Sequence, residues 1–162
     1  MTRATPPPHG TPGRLLRDIA NVVNLSTPLG LIIAAATRSR IRRRGGLIVA
    51  DRARLPLRNA AAFTVGSVVI LPHRDLERAE SGNPALLEHE DAHAWQYAYC
   101  LGLPFIPLYF AALAWSVLRT GDRASANHFE RQADLAKGGY PAHPILPVRE
   151  GIRRLMRGEV RL

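Results

Sequence analysis

The sequence predicts an α+β fold that is mostly helical and contains a small antiparallel sheet of two or three strands. Two observations carry this prediction. Apolar residues recur at helical spacing in several segments, and residues 62–71 are rich in β-branched residues and end at Pro72. A chain of 162 residues suits one compact domain, because a second domain would leave both hydrophobic cores small.

The first 45 residues divide into a leader and a helical segment. Residues 1–13 are predicted to be a disordered, proline-rich leader without a signal peptide, since Pro and Gly interrupt any apolar run there. Residues 14–45 are predicted to be an amphipathic and apolar helical segment with a basic loop. The apolar residues that share one face of its first helix are Leu15, Leu16, Ile19, Val22 and Val23. The opposite face carries Arg14, Arg17, Asp18 and Asn21.

A short apolar run and an arginine cluster follow that helix. Residues 29–36 are apolar, and five arginines lie between positions 38 and 44. One interpretation is a core helix followed by a solvated basic loop. The other is an interfacial helix and a short apolar dip, held by the arginines on anionic headgroups.

The charge balance favours an anionic partner. Lys and Arg number 22 against 13 Asp and Glu, which gives a net charge of +9. No helix-turn-helix, zinc-finger spacing or aromatic-interleaved basic motif accompanies the arginines, so nucleic acid is disfavoured and an anionic membrane surface is the expected partner. We therefore expect the chain at the cytoplasmic side of a membrane, peripheral or shallowly inserted. The single cysteine, Cys100, fits a reducing compartment.

A long uncharged stretch occupies residues 94–118, which is long enough for a membrane span. Gly102, Pro104 and Pro107 interrupt it near the middle. The stretch therefore predicts two packed helices, or one helix and a shallow membrane-dipping segment, in preference to a single span. The tail, residues 141–162, is basic and weakly helical.

The clearest chemical signal is HEDAH at residues 89–93, which matches HExxH. It lies in a helix predicted to start at Asn83-Pro84. Residues four apart share a helix face, so His89 and His93 can direct one ring nitrogen each at the same metal ion. Glu90, one position further on than His89, is placed to activate a water bound to that ion.

A catalytic zinc needs a third protein ligand, and few candidates follow the motif. The carboxylates downstream are Asp122, Glu130, Asp134, Glu150 and Glu159. Glu130 and Asp134 are four apart on a helix predicted over residues 127–137. Glu130 can bind the ion, while Asp134 can accept the outer N–H of a ligand histidine. The alternative is a solvated helix face on which Glu130 pairs with Arg131 or Lys137.

HExxH followed by ExxxD resembles the gluzincin clan, the thermolysin-like zinc peptidases. The wider stretch from 64 to 135, with TVGSVVIL, HEDAHAWQY, LGLPFIPLY and NHFERQAD, is also similar to short uncharacterised bacterial proteins of this zincin-like, membrane-associated kind. The resemblance implies a minimal zincin-like core at residues 46–140, with the sheet packed on the HExxH helix. It implies one Zn²⁺ bound by His89, His93 and Glu130. Glu90 is then the general base, and Asp134 orients His89.

The implied function is that of a small membrane-associated zinc metallopeptidase that hydrolyses a peptide or protein substrate. In the clan an edge strand pairs with the substrate, which implies this role for Val65, Gly66 and Ser67; an ordinary sheet strand is the alternative. The sequence departs from the family at Asp91, a charged residue in the first variable position of HExxH. A non-catalytic, zinc-stabilised, membrane-associated interaction protein is therefore the rival function. Several residues compete for the oxyanion-stabilising role: Tyr97, Tyr99, Tyr140, His128 and His143.

Overall fold

A computed structural model describes residues 12–56 and 61–159 of the chain. It confirms the α+β class, with seven helices and four strands in the described residues. The helices are α1 (Pro12–Val23), α2 (Ser26–Ala36), α3 (Leu76–Gly82), α4 (Leu86–Tyr99), α5 (Phe105–Thr120), α6 (His128–Ala133) and α7 (Val148–Met156). The strands are β1 (Arg40–Arg44), β2 (Leu47–Ala53), β3 (Phe63–Val65) and β4 (Val68–Pro72). The predicted leader lies outside the described residues except for Pro12 and Gly13, which begin α1.

The chain divides into two compact units, one ending at Leu103 and the other starting at Pro104. The predicted domain limits contained no boundary at this position. In the first unit, the strands form one sheet in the order β1-β2-β4-β3. The sheet is mixed, whereas an antiparallel sheet of two or three strands was expected, because β2 and β4 pair in parallel while the two outer pairs are antiparallel.

The arginine cluster forms a strand, which corrects the predicted basic loop. β1 pairs with β2, with Arg40 opposite Asp51 and Arg44 opposite Leu47. Charged side chains suit this position, because β1 lies at the edge of the sheet, where they oppose pairing with another chain.

Residues 62–71 form two short strands joined by a tight turn at Gly66 and Ser67, where one strand was expected. Gly66 has φ of +63°, and a Cβ atom added there would lie 2.3 Å from the backbone nitrogen of Thr27 on α2. The backbone of α2 therefore comes close at Gly66. Gly30 makes the reciprocal approach from α2, since a Cβ atom there would lie 2.6 Å from the carbonyl oxygen of Val65.

The hydrophobic core of the first unit lies between the sheet and the helices α3 and α4. Its buried side chains are Leu47, Val49, Val69, Leu71, Leu76, Ala79, Leu86 and Ala94. Burial of such aliphatic side chains stabilises a fold by about 1.5–3 kcal/mol each. The motif helix α4 contacts β3 and β4, as expected for a sheet packed on the HExxH helix.

Helix α1 has an inverted orientation, with its polar face buried and its apolar face exposed. Arg14, Arg17 and Asn21 are 7%, 1% and 0% exposed. The five apolar residues of the opposite face are 50–75% exposed. The predicted amphipathic helix is therefore present, and its hydrogen-bonding residues point into the protein.

The second unit contains α5, α6 and α7. α5 contacts both of the other helices. A Cβ atom at Gly151 of α7 would lie 1.8 Å from the carbonyl oxygen of Leu118, so only glycine permits this helix contact. Rings of Phe105, Tyr109 and Phe129 pack together between α5 and α6.

The uncharged stretch at residues 94–118 is divided between α4 and α5, as its Gly and Pro residues predict. Across the described parts of the chain, no individual helix has both the length and the apolar composition of a membrane span. Taken together, α1 and α2 have the length and the apolar composition of a membrane span, but the two helices are bent by 72° relative to each other.

Candidate metal centre

His89 and His93 lie one turn apart on α4, and both side chains are buried. Their Nε2 atoms are 3.2 Å apart, and their rings meet edge to face with centroids separated by 4.7 Å. A tetrahedral zinc with bonds of about 2.0–2.1 Å sets neighbouring ligand atoms about 3.3 Å apart. The spacing of the two nitrogens therefore suits a shared ion, as it also suits an N–H···N hydrogen bond.

Gln96 fixes the orientation of the second histidine. The Nδ1 atom of His93 lies 2.8 Å from Oε1 of Gln96, which is itself buried. An amide oxygen only accepts, so this contact requires the proton on Nδ1 and leaves the lone pair on Nε2. Nε2 is the atom that faces His89, and this tautomer is the one a metal ligand needs.

Glu130 lies on α6, a helix whose start is set by Asn127. The side chain of Asn127 accepts a hydrogen bond from the backbone N–H of Phe129, at 3.0 Å. Glu130 is 2% exposed, and the hydroxyl of Tyr109 on α5 donates a short hydrogen bond to its Oε1 atom. Tyr109 was not among the residues predicted for the site.

One ligand atom from each of His89, His93 and Glu130 lies within 4.8 Å of the other two, and all three residues are buried. Two imidazole nitrogens and one carboxylate oxygen form a donor set that binds transition metals, whereas magnesium and calcium prefer oxygen alone. The residues therefore fit a metal ion. This buried His-His-Glu group can bind a metal ion.

The side chain of Glu90 is held by the sheet. Glu90 is 3% exposed, and the hydroxyl of Thr64 on β3 donates to its Oε2 atom at 2.7 Å. The same hydroxyl lies 3.4 Å from the backbone carbonyl of Glu90. β3 therefore positions this carboxylate, a contact that local sequence patterns do not reveal.

Asp91, the unusual residue of the motif, forms buried ion pairs with α1. Its Oδ2 atom lies 3.0 Å from Nη2 of Arg14, and its Oδ1 atom lies 2.5 Å from Nη1 of Arg17. The guanidinium of Arg17 also lies 5.4 Å from the ring centroid of Trp95. The charge of Asp91 is therefore balanced by two arginines of α1.

α6 is shorter than predicted, which changes the argument for Asp134. The helix ends at Ala133, and Asp134 follows it with φ of +76°. The Oδ1 atom of Asp134 accepts a hydrogen bond from the backbone N–H of Ala136, at 3.1 Å. Helical spacing therefore does not place Asp134 on the face of Glu130, and its proposed action on His89 stays a prediction.

The three residues predicted to bind substrate, Val65, Gly66 and Ser67, lie at the end of β3 and in the turn after it. All three are buried. The backbone N–H of Ser67 donates to the Thr27 hydroxyl at 3.0 Å, and its own hydroxyl donates to Asp18 at 2.8 Å. Ser67 is therefore engaged with α1 and α2, and a role of these three residues in binding substrate stays a prediction. β3 is the outermost strand of the sheet on this side, and along it Phe63 is partly buried and Thr64 is buried.

The candidates for oxyanion stabilisation differ in accessibility. Tyr97 is 3% exposed, and burial raises the pKa of its hydroxyl, whereas Tyr99 is 71% exposed. Arg123 lies over the ring of Tyr140 at 5.8 Å. None of these contacts assigns the role, and the same holds for His128 and His143.

Comparisons of the chain with family models, with curated proteins and with solved structures gave no match. The resemblance to the gluzincin clan consequently rests on the motif residues.

Proposed function

We propose that the chain is a zinc-dependent hydrolase of the metallopeptidase type, with one Zn²⁺ held by His89, His93 and Glu130. The observation that supports this proposal most is the closeness of three buried ligand atoms of suitable types. Structural zinc sites use four protein ligands, most of them cysteines, whereas catalytic sites use three and leave a fourth position for water or substrate. A His₂Glu set is of the second kind.

The proposed reaction is hydrolysis of a peptide or similar amide. Bound zinc supplies Lewis acidity, which makes water a better nucleophile and polarises the substrate carbonyl. Glu90 takes a proton from the attacking water while the water oxygen bonds to the carbonyl carbon. The same carboxyl then gives that proton to the amine nitrogen as the carbon–nitrogen bond breaks. Thr64 holds Oε2, so Oε1 is the oxygen that carries the proton.

The test combines metal analysis with a peptide-library assay on the full chain. We expect one zinc per wild-type chain and a much lower zinc content in Glu130→Gln, which keeps the size of the side chain and removes its charge. Glu90→Gln should keep its zinc and lose hydrolysis. Glu88→Gln is the matched control, because Glu88 is exposed on the same helix. Unchanged zinc content in Glu130→Gln refutes the third ligand, and hydrolysis by zinc-loaded Glu90→Gln refutes the base.

A second candidate is a non-catalytic interaction protein that zinc stabilises. The buried ion pairs of Asp91 favour it, because they give the motif helix a structural role in holding α1. Under this function, a chelator lowers the melting temperature and the zinc-loaded chain cleaves no member of the library. Chelator-sensitive cleavage supports the hydrolase and excludes this alternative.

A further inference from the structure

The exposed apolar face of α1 is followed along the chain by further exposed aliphatic residues, at Leu25 and in the middle of α2. Its aliphatic residues, each at least 40% exposed, are Leu15, Leu16, Ile19, Val22, Val23, Leu25, Leu31 and Ile32. No charged residue lies within α2, whose sequence is STPLGLIIAAA. Exposed aliphatic side chains that are contiguous in this way usually mark a surface that binds a partner or a membrane.

The fold holds this face outward. On the inner side of α1, the guanidinium of Arg14 donates to the Gly45 carbonyl at 2.8 Å as well as to Asp91. The side-chain amide of Asn21 donates to the Ala94 carbonyl at 2.8 Å. Rotation of α1 to bury its apolar residues would break these hydrogen bonds. The aliphatic side chains that turned inward could not form new ones. The hydrogen bonds on the inner side of α1 therefore fix the outward orientation of its apolar face.

We propose that the apolar face of α1 and α2 is a membrane-docking surface that inserts shallowly into a bilayer rich in anionic lipid. Its aliphatic composition suits acyl chains, and an amphipathic helix of this kind lies in the plane of the interface. α1 and α2 meet at 72°, so the pair presents a bent apolar surface and no straight span. The proposal does not depend on the metal or on hydrolysis.

The arginines that follow α2 give the surface its preference for anionic lipid. Arg42 and Arg44 are engaged with Glu77 and Glu80 of α3. Arg38, Arg40 and Arg43 are exposed, and within the described part of the chain they form no ion pair. Such cations attract anionic headgroups near a membrane surface. The net charge of +9 opposes association between two copies of the chain and attracts it to anionic lipid, so charge favours lipid over self-association.

The experiment is sedimentation of the full chain with vesicles of phosphatidylcholine alone or mixed with phosphatidylglycerol. We expect binding to the mixed vesicles, and Leu16→Gln/Val23→Gln should weaken it by about tenfold or more, because two inserted aliphatic side chains are lost. Arg40→Gln/Arg43→Gln should weaken it by about fivefold per arginine and leave little preference for anionic lipid. Ile152→Gln/Leu155→Gln on α7 is the matched control, since those aliphatic residues are also exposed but lie outside the surface.

Melting temperatures and zinc content are measured for all variants, to check that the substitutions leave the fold and the metal site intact. Equal vesicle binding by wild type and Leu16→Gln/Val23→Gln overturns the proposal. A different pair of results also overturns it. In that case the wild-type chain fails to bind vesicles and forms an oligomer, and Leu16→Gln/Val23→Gln dissociates this oligomer. Loss of zinc binding or hydrolysis in a chain that still binds vesicles refutes the proposed function and leaves the docking surface standing.

Discussion

Replacement of Asp91 by alanine tests whether α1 is fastened to the motif helix by charge. Asp91 has 3% of its side chain exposed, against 9% for Arg14 and 0% for Arg17. Removal of one partner from a buried ion pair costs about 3–5 kcal/mol, because the remaining charge is left without compensation. Arg17 keeps Asp18 as a second carboxylate, and both arginines keep a backbone carbonyl. We therefore expect the lower end, a loss of about 3 kcal/mol in the free energy of unfolding.

The measurement is urea unfolding and thermal melting in the presence of a chelator, so that zinc loss does not contribute. In a chain of this size, about 3 kcal/mol corresponds to a fall of roughly 6–12 °C in melting temperature. Glu80→Ala is the control, because it removes an exposed ion pair with Arg44, whose atoms are 3.0 Å apart. That substitution should cost less than about 1 kcal/mol.

Replacement of all three charged residues gives a second check on the same reasoning. Arg14→Met/Arg17→Met/Asp91→Leu removes the charges together, and the unfolding free energy should recover most of what Asp91→Ala loses. If Asp91→Ala costs no more than Glu80→Ala, the ion pairs do not fasten α1. If the triple variant is less stable than Asp91→Ala, uncompensated charge is not the cause of the loss.

Three further predictions follow from single contacts. Tyr109→Phe removes the hydrogen bond to Glu130 and should weaken zinc binding by about 10–100-fold in a competition titration, with the exposed Tyr99→Phe as a control that changes nothing. Gly66→Ala should lower the melting temperature, because the added methyl group meets the backbone of α2 at a positive φ; an unchanged melting temperature would contradict the close approach. Burial raises the pKa of Tyr97, so the folded chain keeps this proton where the unfolded chain releases it, and the free energy of unfolding should fall as pH rises above about 10. Tyr97→Phe should flatten that pH dependence, and an equal slope in both proteins would refute it.

The sequence predicts the helices better than their orientation. Periodicity in α1 identifies two faces, and the usual rule would bury the aliphatic one. The structure buries the other, because Asp91 and the Ala94 carbonyl on α4 supply partners for Arg14, Arg17 and Asn21. Those partners are more than 70 positions away in the chain, so no local pattern contains them.

The strands show a similar limit. Residues 62–71 are correctly predicted as β structure, yet the turn at Gly66 splits them into a hairpin. Glycine permits the positive φ of this turn and leaves space for the backbone of α2, a long-range contact that periodicity does not record. The run RIRRR has the composition of a solvated loop and forms an edge strand, because β2 offers a free edge and α3 offers carboxylates for Arg42 and Arg44.

The part of the candidate metal centre that lies on one helix was predictable, because helical spacing fixes which side chains share a face. The spacing of His89 and His93 is enough to place both rings on one face of α4. Gln96 follows His93 by three positions, so helical spacing indicates its contact in retrospect. Thr64 and Tyr109 reach the carboxylates of Glu90 and Glu130 from other elements, and only the folded chain reveals them.

The mutual approach of Gly30 and Gly66 bears on how this protein tolerates change. Each glycine faces the backbone of the other's element with no space for a methyl group. A saturation library selected only for folding should thus be strongly depleted at these two positions, which perform no chemistry. The aliphatic residues on the outside of α1 should accept polar replacements in the same selection. A map of permitted substitutions would then separate the residues needed for folding from those needed only for the proposed membrane docking.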